Sequence, residues 1–186
     1  MQAKYGVTGL DLSAPMLEVA AEKLPGVRLI EADMTRFSLG QRFDVVLCVY
    51  DSINHLLEFS QWQEVFDRAH EHLNDGGLFV FDINTERRLA SLCDRPPLVQ
   101  WFGDGHLLVM DVEQDTGGVV VWGIRLFEHV DGDRYLLHSE NILEVSFPRS
   151  KVEQSLRERY RRVSAHDLRR KRPTTTSERI HFVAVK

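Results

Sequence analysis

The sequence predicts an α/β fold, a mostly parallel sheet with helices on its faces that carries a small antiparallel β insertion. Three observations predict it. Strand-like and helix-like segments alternate through the first half; one strand, "FDVVLCVYD", is apolar on both faces, as an interior parallel strand must be; and after "RPPLVQW" the pattern turns into strands separated by tight-turn signals.

The elements follow in order. "YGVTGL" from Tyr5 is the first strand. A helix over 13–24 places Leu17, Ala20, Ala21 and Leu24 at helical spacing, with Ser13 as N-cap and Pro15 tolerated in the first turn, and Pro25 and Gly26 end it. "VRLIEAD" is a second strand and "FDVVLCVYD" a third. The segment 60–73 aligns Trp62, Val65, Phe66, Ala69 and Leu73 on one helical face, with Ser60 and Gln63 spaced as a capping box. Gly76 and Gly77 turn the chain into a fourth strand, "GLFVFDIN". "HLLVMDVE", "GGVVVWGIRLFEHV" and "RYLLHSENILEVSF" then form a meander, with turns at "DTGG" and "DGD". A short helix over 152–159 and the strands "YRRVSA" and "RIHFVAV" complete the sheet. This gives a core over 1–94, a β insertion over 95–147 as the acceptor lobe, and a closing helix and strands over 148–186.

At 186 residues, 43% hydrophobic and 27% charged, the chain has the makeup of a globular domain rather than of a disordered or membrane-embedded segment. No apolar run nears the roughly 20 residues that span a bilayer, so no membrane partner is expected and the cytoplasm is the expected location. Cys48 and Cys93 lack metal-ligand spacing and read as free thiols. His70 and His72 stand two apart on a helix, facing different ways, so no metal site is expected. The net charge of −5 conceals eight basic residues between Arg157 and Arg172, read as a solvated face in preference to a nucleic-acid contact.

Polar groups cluster at the ends of three successive strands: Asp11; Asp33 with Met34; and Tyr50, Asp51, Ser52, Asn54 and His55. In open α/β sheets ligands bind beyond the carboxyl ends of the strands, so these residues are expected to face one cleft. A carboxylate such as that of Asp11 accepts both hydroxyls of a cis-diol. Met16 and Met34 are candidates to line a flat apolar slot.

These segments resemble the class I S-adenosylmethionine-dependent methyltransferases. "VTGLDLSAPMLEVAAEKL" is similar to the family's second strand and following helix, "LIEADMTRF" to its third-strand turn, and "FDVVLCVYDSINHLL" to its fourth strand and the loop facing the methyl group. "LNDGGLFVFDINT" is similar to its fifth strand and "TSERIHFVAVK" to its seventh. The resemblance implies a Rossmann-like methyltransferase sheet and S-adenosyl-L-methionine as cofactor. In that reading Asp11 meets the ribose, Asp33, Met34 and Met16 the adenine, and Tyr50 the methionine part, with Leu12 a further cofactor-binding residue. His55 and Asp51 are the catalytic candidates, with a substrate-orienting or helix-capping role the alternative for His55; Asn54, Trp101, Trp122 and Tyr135 are the candidates for binding a small-molecule acceptor, with the meander's own core the alternative for the three aromatic residues.

The family's first strand, with an acid and a Gly-rich turn, lies between "YGVTGL" and "FDVVLCVY", and this chain holds no counterpart to it. The expectation is therefore a truncated sheet whose first strand is missing, with impaired activity and open strand edges that a homodimer would cover. A non-catalytic binding module with this fold and a nucleic-acid-directed methyltransferase are the alternative readings. A nicotinamide-binding Rossmann protein also uses an acid at this strand end, and only "EADM" separates it from the methyltransferase reading.

Overall fold

In the computed structural model, which describes residues 5–170 and 172–186, Ser13 opens the first helix as expected. Its Oγ accepts the Met16 amide at 3.4 Å, and α1 runs over Ala14–Lys23 between β1 (Thr8–Asp11) and β2 (Arg28–Glu31). β1 and β2 pair in parallel, which makes a βαβ unit. No residue of α1 is fully buried, so this unit contributes little to the core.

The main core forms around a second sheet of order β3-β4-β10-β9, made of β3 (Phe43–Cys48), β4 (Leu73–Asn84), β9 (Arg162–His166) and β10 (Arg179–Val185). β3 and β4 are parallel, and β10 runs antiparallel to β4 and β9. The crossover between β3 and β4 is α2 (Phe59–Glu71), whose Trp62, Val65, Phe66 and Ala69 are buried as the helical spacing predicted. Together with Val152 and Leu156 of α4 (Arg149–Arg157), they pack onto Phe79, Phe81 and Phe182 of the sheet. Phe81 and Phe182 stack at 4.9 Å, and Phe66 lies 5.4 Å from Phe81. Burying each such ring is worth about 2–3 kcal/mol, so this aromatic layer is the principal apolar contribution to stability.

Val45 and Leu47 of β3 are exposed, and among the described residues β3 has no strand partner beyond β4. β1 and β3 do not pair with each other.

The capping of α2 differs from expectation. Glu58 is the N-cap and Gln61 reaches back to its amide at 3.0 Å, while Gln63 instead donates to Ser155 Oγ at 3.3 Å and ties α2 to α4. A helix unread in the sequence, α3 (Glu86–Cys93), is capped by the Thr85 hydroxyl.

The insertion is a four-stranded antiparallel meander: β5 (Leu98–Phe102), β6 (His106–Gln114), β7 (Val120–Asp131) and β8 (Arg134–Glu144). Gly118, at φ 86°, closes the β6–β7 turn, where the Asp115 carboxylate accepts the Gly117 and Val119 amides at 2.8 and 2.9 Å. Leu89 and Leu92 of α3 pack on Val112, Val120 and Trp122 of the meander, forming a second, smaller core.

The basic stretch is partly engaged within the chain. Arg157 pairs with Glu153 at 2.7 Å and Arg159 with Asp67 at 2.6 Å; Lys171 lies outside the described residues. Among the described residues no helix is long and apolar enough to cross a membrane. His72 is a structural residue, its Nε2 accepting the Leu39 amide at 3.0 Å and its Nδ1 lying 2.7 Å from the Arg68 carbonyl.

Candidate active site

The site is organised by an acid inside an apolar strand. Asp82 in "LFVFDIN" is only 2% exposed and sits near the carboxyl end of β4. Its carboxylate accepts the amides of Tyr50 at 2.7 Å and Asp51 at 3.3 Å, the residues that follow β3. Both adopt left-handed backbone, φ 61° and 54°, which costs a residue with a Cβ about 1–2 kcal/mol. Two successive amides aimed at one buried carboxylate offset that strain and fix the sharp exit from β3.

Arg179 at the start of β10 neutralises part of this charge. It pairs with Asp82, reaches Asp51 Oδ1 at 2.8 Å and donates to Asn84 Oδ1 at 3.1 Å. The Asn84 amide nitrogen in turn donates to Asp51 Oδ2 at 2.6 Å and to Glu144 Oε2 at 3.1 Å. Both oxygens of Asp51 are therefore engaged. Glu144, the last residue of β8, is 4% exposed, and burial pushes its carboxyl above the ordinary glutamate value; Asn84 and His55 act against that shift and Asp51 adds to it. The Trp122 Nε1–H lies near enough to favour the Glu144 carboxylate but has no acceptor at full hydrogen-bonding geometry.

The loop after Asp51 is a single 3-10 turn, Ser52–His55, stapled to the end of the meander. Buried Asn54 donates from its side chain to the carbonyls of Asn84 at 3.0 Å and Val145 at 2.7 Å, and it accepts the Asn84 amide at 3.0 Å. The Val145 amide donates to the Asn54 carbonyl at 2.9 Å. Asn54 is thus a structural clamp. His55 is exposed, with Nδ1 3.0 Å from the Leu143 carbonyl. A carbonyl only accepts, so in the neutral ring Nδ1 carries the proton and Nε2 keeps its lone pair.

The residues expected at the cofactor lie at the ends of the other ladder. The Gln41 side chain, just before β3, bonds both Thr8 and Arg28, which begin β1 and β2, each at 3.4 Å. The starts of β1 and β2 are thus tied to the segment that precedes β3, and β1 and β2 run parallel to each other. At the end of β1 Asp11 Oδ1 accepts the Ser13 amide at 2.9 Å, and among the described residues Oδ2 has no hydrogen-bond partner. Leu12, Met16 and Tyr50 are exposed, Tyr50 by 83%.

Asp33 is engaged on both oxygens. Oδ1 takes the Thr35 amide and hydroxyl at 2.8 and 2.7 Å and Oδ2 takes Arg36 at 2.9 Å, and the Thr35 amide is foremost in holding the carboxyl below its ordinary range. Met34 packs against the main core.

The aromatic acceptor candidates are not brought together. Trp101 and Tyr135 meet edge to face at 6.5 Å on one side of the meander. The strand register puts Trp122 on the other side, against α3. Asp82, Asn84, Glu144 and Arg179 were not read as site residues from the sequence. The available signal was polar residues interrupting the apolar run of β4.

A protein-family model described as a methyltransferase domain matches residues 1–77. A chain of Geobacillus sp. (strain WCH70), provisionally named a methyltransferase, is 28% identical over 99% of this chain and 78% of its own. The dTDP-3-amino-3,6-dideoxy-alpha-D-glucopyranose N,N-dimethyltransferase of Streptomyces fradiae is 38% identical over 41% of this chain and 30% of its own length. Among solved structures, an S-adenosylmethionine-dependent methyltransferase from Clostridium acetobutylicum superposes with a TM-score of 0.84 at 24% identity, over 98% of this chain and 75% of that one. A sugar N-methyltransferase from Streptoalloteichus sp. superposes at 0.78 with 21% identity, over 96% of this chain and 70% of that one. The first 77 residues thus carry the signature of a methyltransferase domain, and the chain as a whole has the fold of the S-adenosylmethionine-dependent methyltransferases.

Proposed function

We propose that the chain methylates an amine nitrogen of a small molecule, with amino sugars as the acceptor class. The names of similar proteins that act on amino sugars support the class. The observation that carries the chemistry is His55, exposed at the loop after β3 with its Nε2 lone pair free because Nδ1–H is held by the Leu143 carbonyl.

The residues at the carboxyl edge fit an adenosyl group. Asp11 Oδ2, unpartnered among the described residues, can accept a ribose hydroxyl, and Leu12, Met16 and Tyr50 offer exposed apolar surface. The cofactor supplies an electrophilic methyl group. An amine acceptor is protonated near neutral pH and attacks only after losing a proton, and His55 Nε2 is the base that takes it. Asp51, with both oxygens bonded, braces the loop.

Transfer of a radiolabelled methyl group to dTDP-linked amino sugars, with the matching hydroxyl sugars as controls, tests the reading. Labelling of the amine series, reduced about 100-fold or more in His55→Ala, is the expected result. Equal labelling in both series, or full activity without His55, contradicts it.

A further inference from the structure

The cluster beside His55 contains a group that the proposed chemistry does not use. Glu144 is a buried carboxylate whose one side-chain hydrogen bond at full geometry among the described residues comes from Asn84. Buried carboxylates normally hold a cation or several donors, so one kept on a single amide calls for a reason. The positions around it supply one. Residue 143 on one side accepts the His55 ring proton, and residue 145 on the other is clamped by Asn54 through both its amide and its carbonyl. The same Asn84 nitrogen that holds Glu144 holds Asp51, the residue that begins the His55 turn.

We propose that Glu144 is a positioning residue for the methyl transfer: through Asn84 it locks the end of the meander to the Asp51–His55 loop, and so keeps His55 Nε2 free as the base. The proposal rests on the assignment of His55 above. The meander lies on one side of this latch and the catalytic loop on the other, so whatever orders the meander also orders the base. The two elements are joined by side-chain bonds spanning 60 and 33 residues of sequence.

The test uses the whole chain and needs no acceptor. Nitrogen-15 shifts of the His55 ring report its tautomer, and amide exchange at Val145 reports the clamp. In Glu144→Ala the His55 ring should move toward the Nε2–H tautomer, and Val145 exchange should quicken about tenfold. In Glu144→Gln, whose amide oxygen still accepts from Asn84, both should stay at parent values. A parent-like tautomer and exchange rate in Glu144→Ala overturns the proposal, as does a Gln variant that behaves like Ala. Because neither readout involves methyl transfer, a failure here is distinct from a failure of the His55 labelling experiment.

Discussion

Replacing Asp82 by asparagine should destabilise the chain by about 3 kcal/mol. The substitution keeps size and shape. It retains an acceptor for the Tyr50 amide, but puts an NH₂ where the second oxygen now faces the Asp51 amide and Arg179. One charge-assisted bond to an amide is lost, and the Arg179 ion pair is lost with it. Breaking a buried pair by removing one partner costs about 3–5 kcal/mol, and the low end applies because Arg179 is 38% exposed and stays paired with Asp51. Urea unfolding followed by circular dichroism measures the change. A double-mutant cycle with Arg179→Met should return a coupling of about 2 kcal/mol, since the second change removes the guanidinium left short of a partner. A loss below about 0.5 kcal/mol for Asp82→Asn would refute the reasoning, because the left-handed turn at Tyr50 and Asp51 would then be held by something else.

Other outcomes follow from the same geometry. Glu144 is raised in the folded state, so its contribution to stability is fully present below the unfolded glutamate value and is lost as pH rises through the folded one. Glu144→Gln should accordingly gain on the parent in urea midpoints as pH rises above the ordinary glutamate value of 4.5, and a constant difference with pH would contradict the shift. Burial pushes the Cys48 thiol up to about 12, while Cys93 is raised less; a thiol-reactive disulfide reagent should therefore label Cys93 in the native chain and Cys48 only after unfolding. Phe81→Ala, which empties the centre of the aromatic layer, should cost about 3–5 kcal/mol by the same unfolding assay.

Local signals in the sequence were read correctly where nothing distant competed with them. Ser13 caps α1, the spacing of Trp62, Val65, Phe66 and Ala69 gave the buried face of α2, and the turn residues at Asp115 and Gly118 gave a meander hairpin. The expected capping box at Ser60 and Gln63 failed because Gln63 is taken by Ser155, which lies 92 residues away. The same physics hid much of the site. Asp82, Arg179, Asn84 and Glu144 meet only once β3, β4, β8 and β10 have assembled, and nothing near any one of them announces its partner. Trp122 seemed to belong with Trp101 and Tyr135 until strand register put it on the other side of the sheet. His55 was legible as a candidate base, but the bond of its Nδ1 to the Leu143 carbonyl, 88 residues on, was not.

The central claim is that the carboxyl edge of β1 and β3 receives S-adenosylmethionine, and calorimetric titration with S-adenosylhomocysteine tests it most directly. Binding by the chain, weakened about tenfold in Asp11→Ala through loss of the free Oδ2, is the predicted result. Binding of equal strength with and without the Asp11 carboxylate would contradict the account.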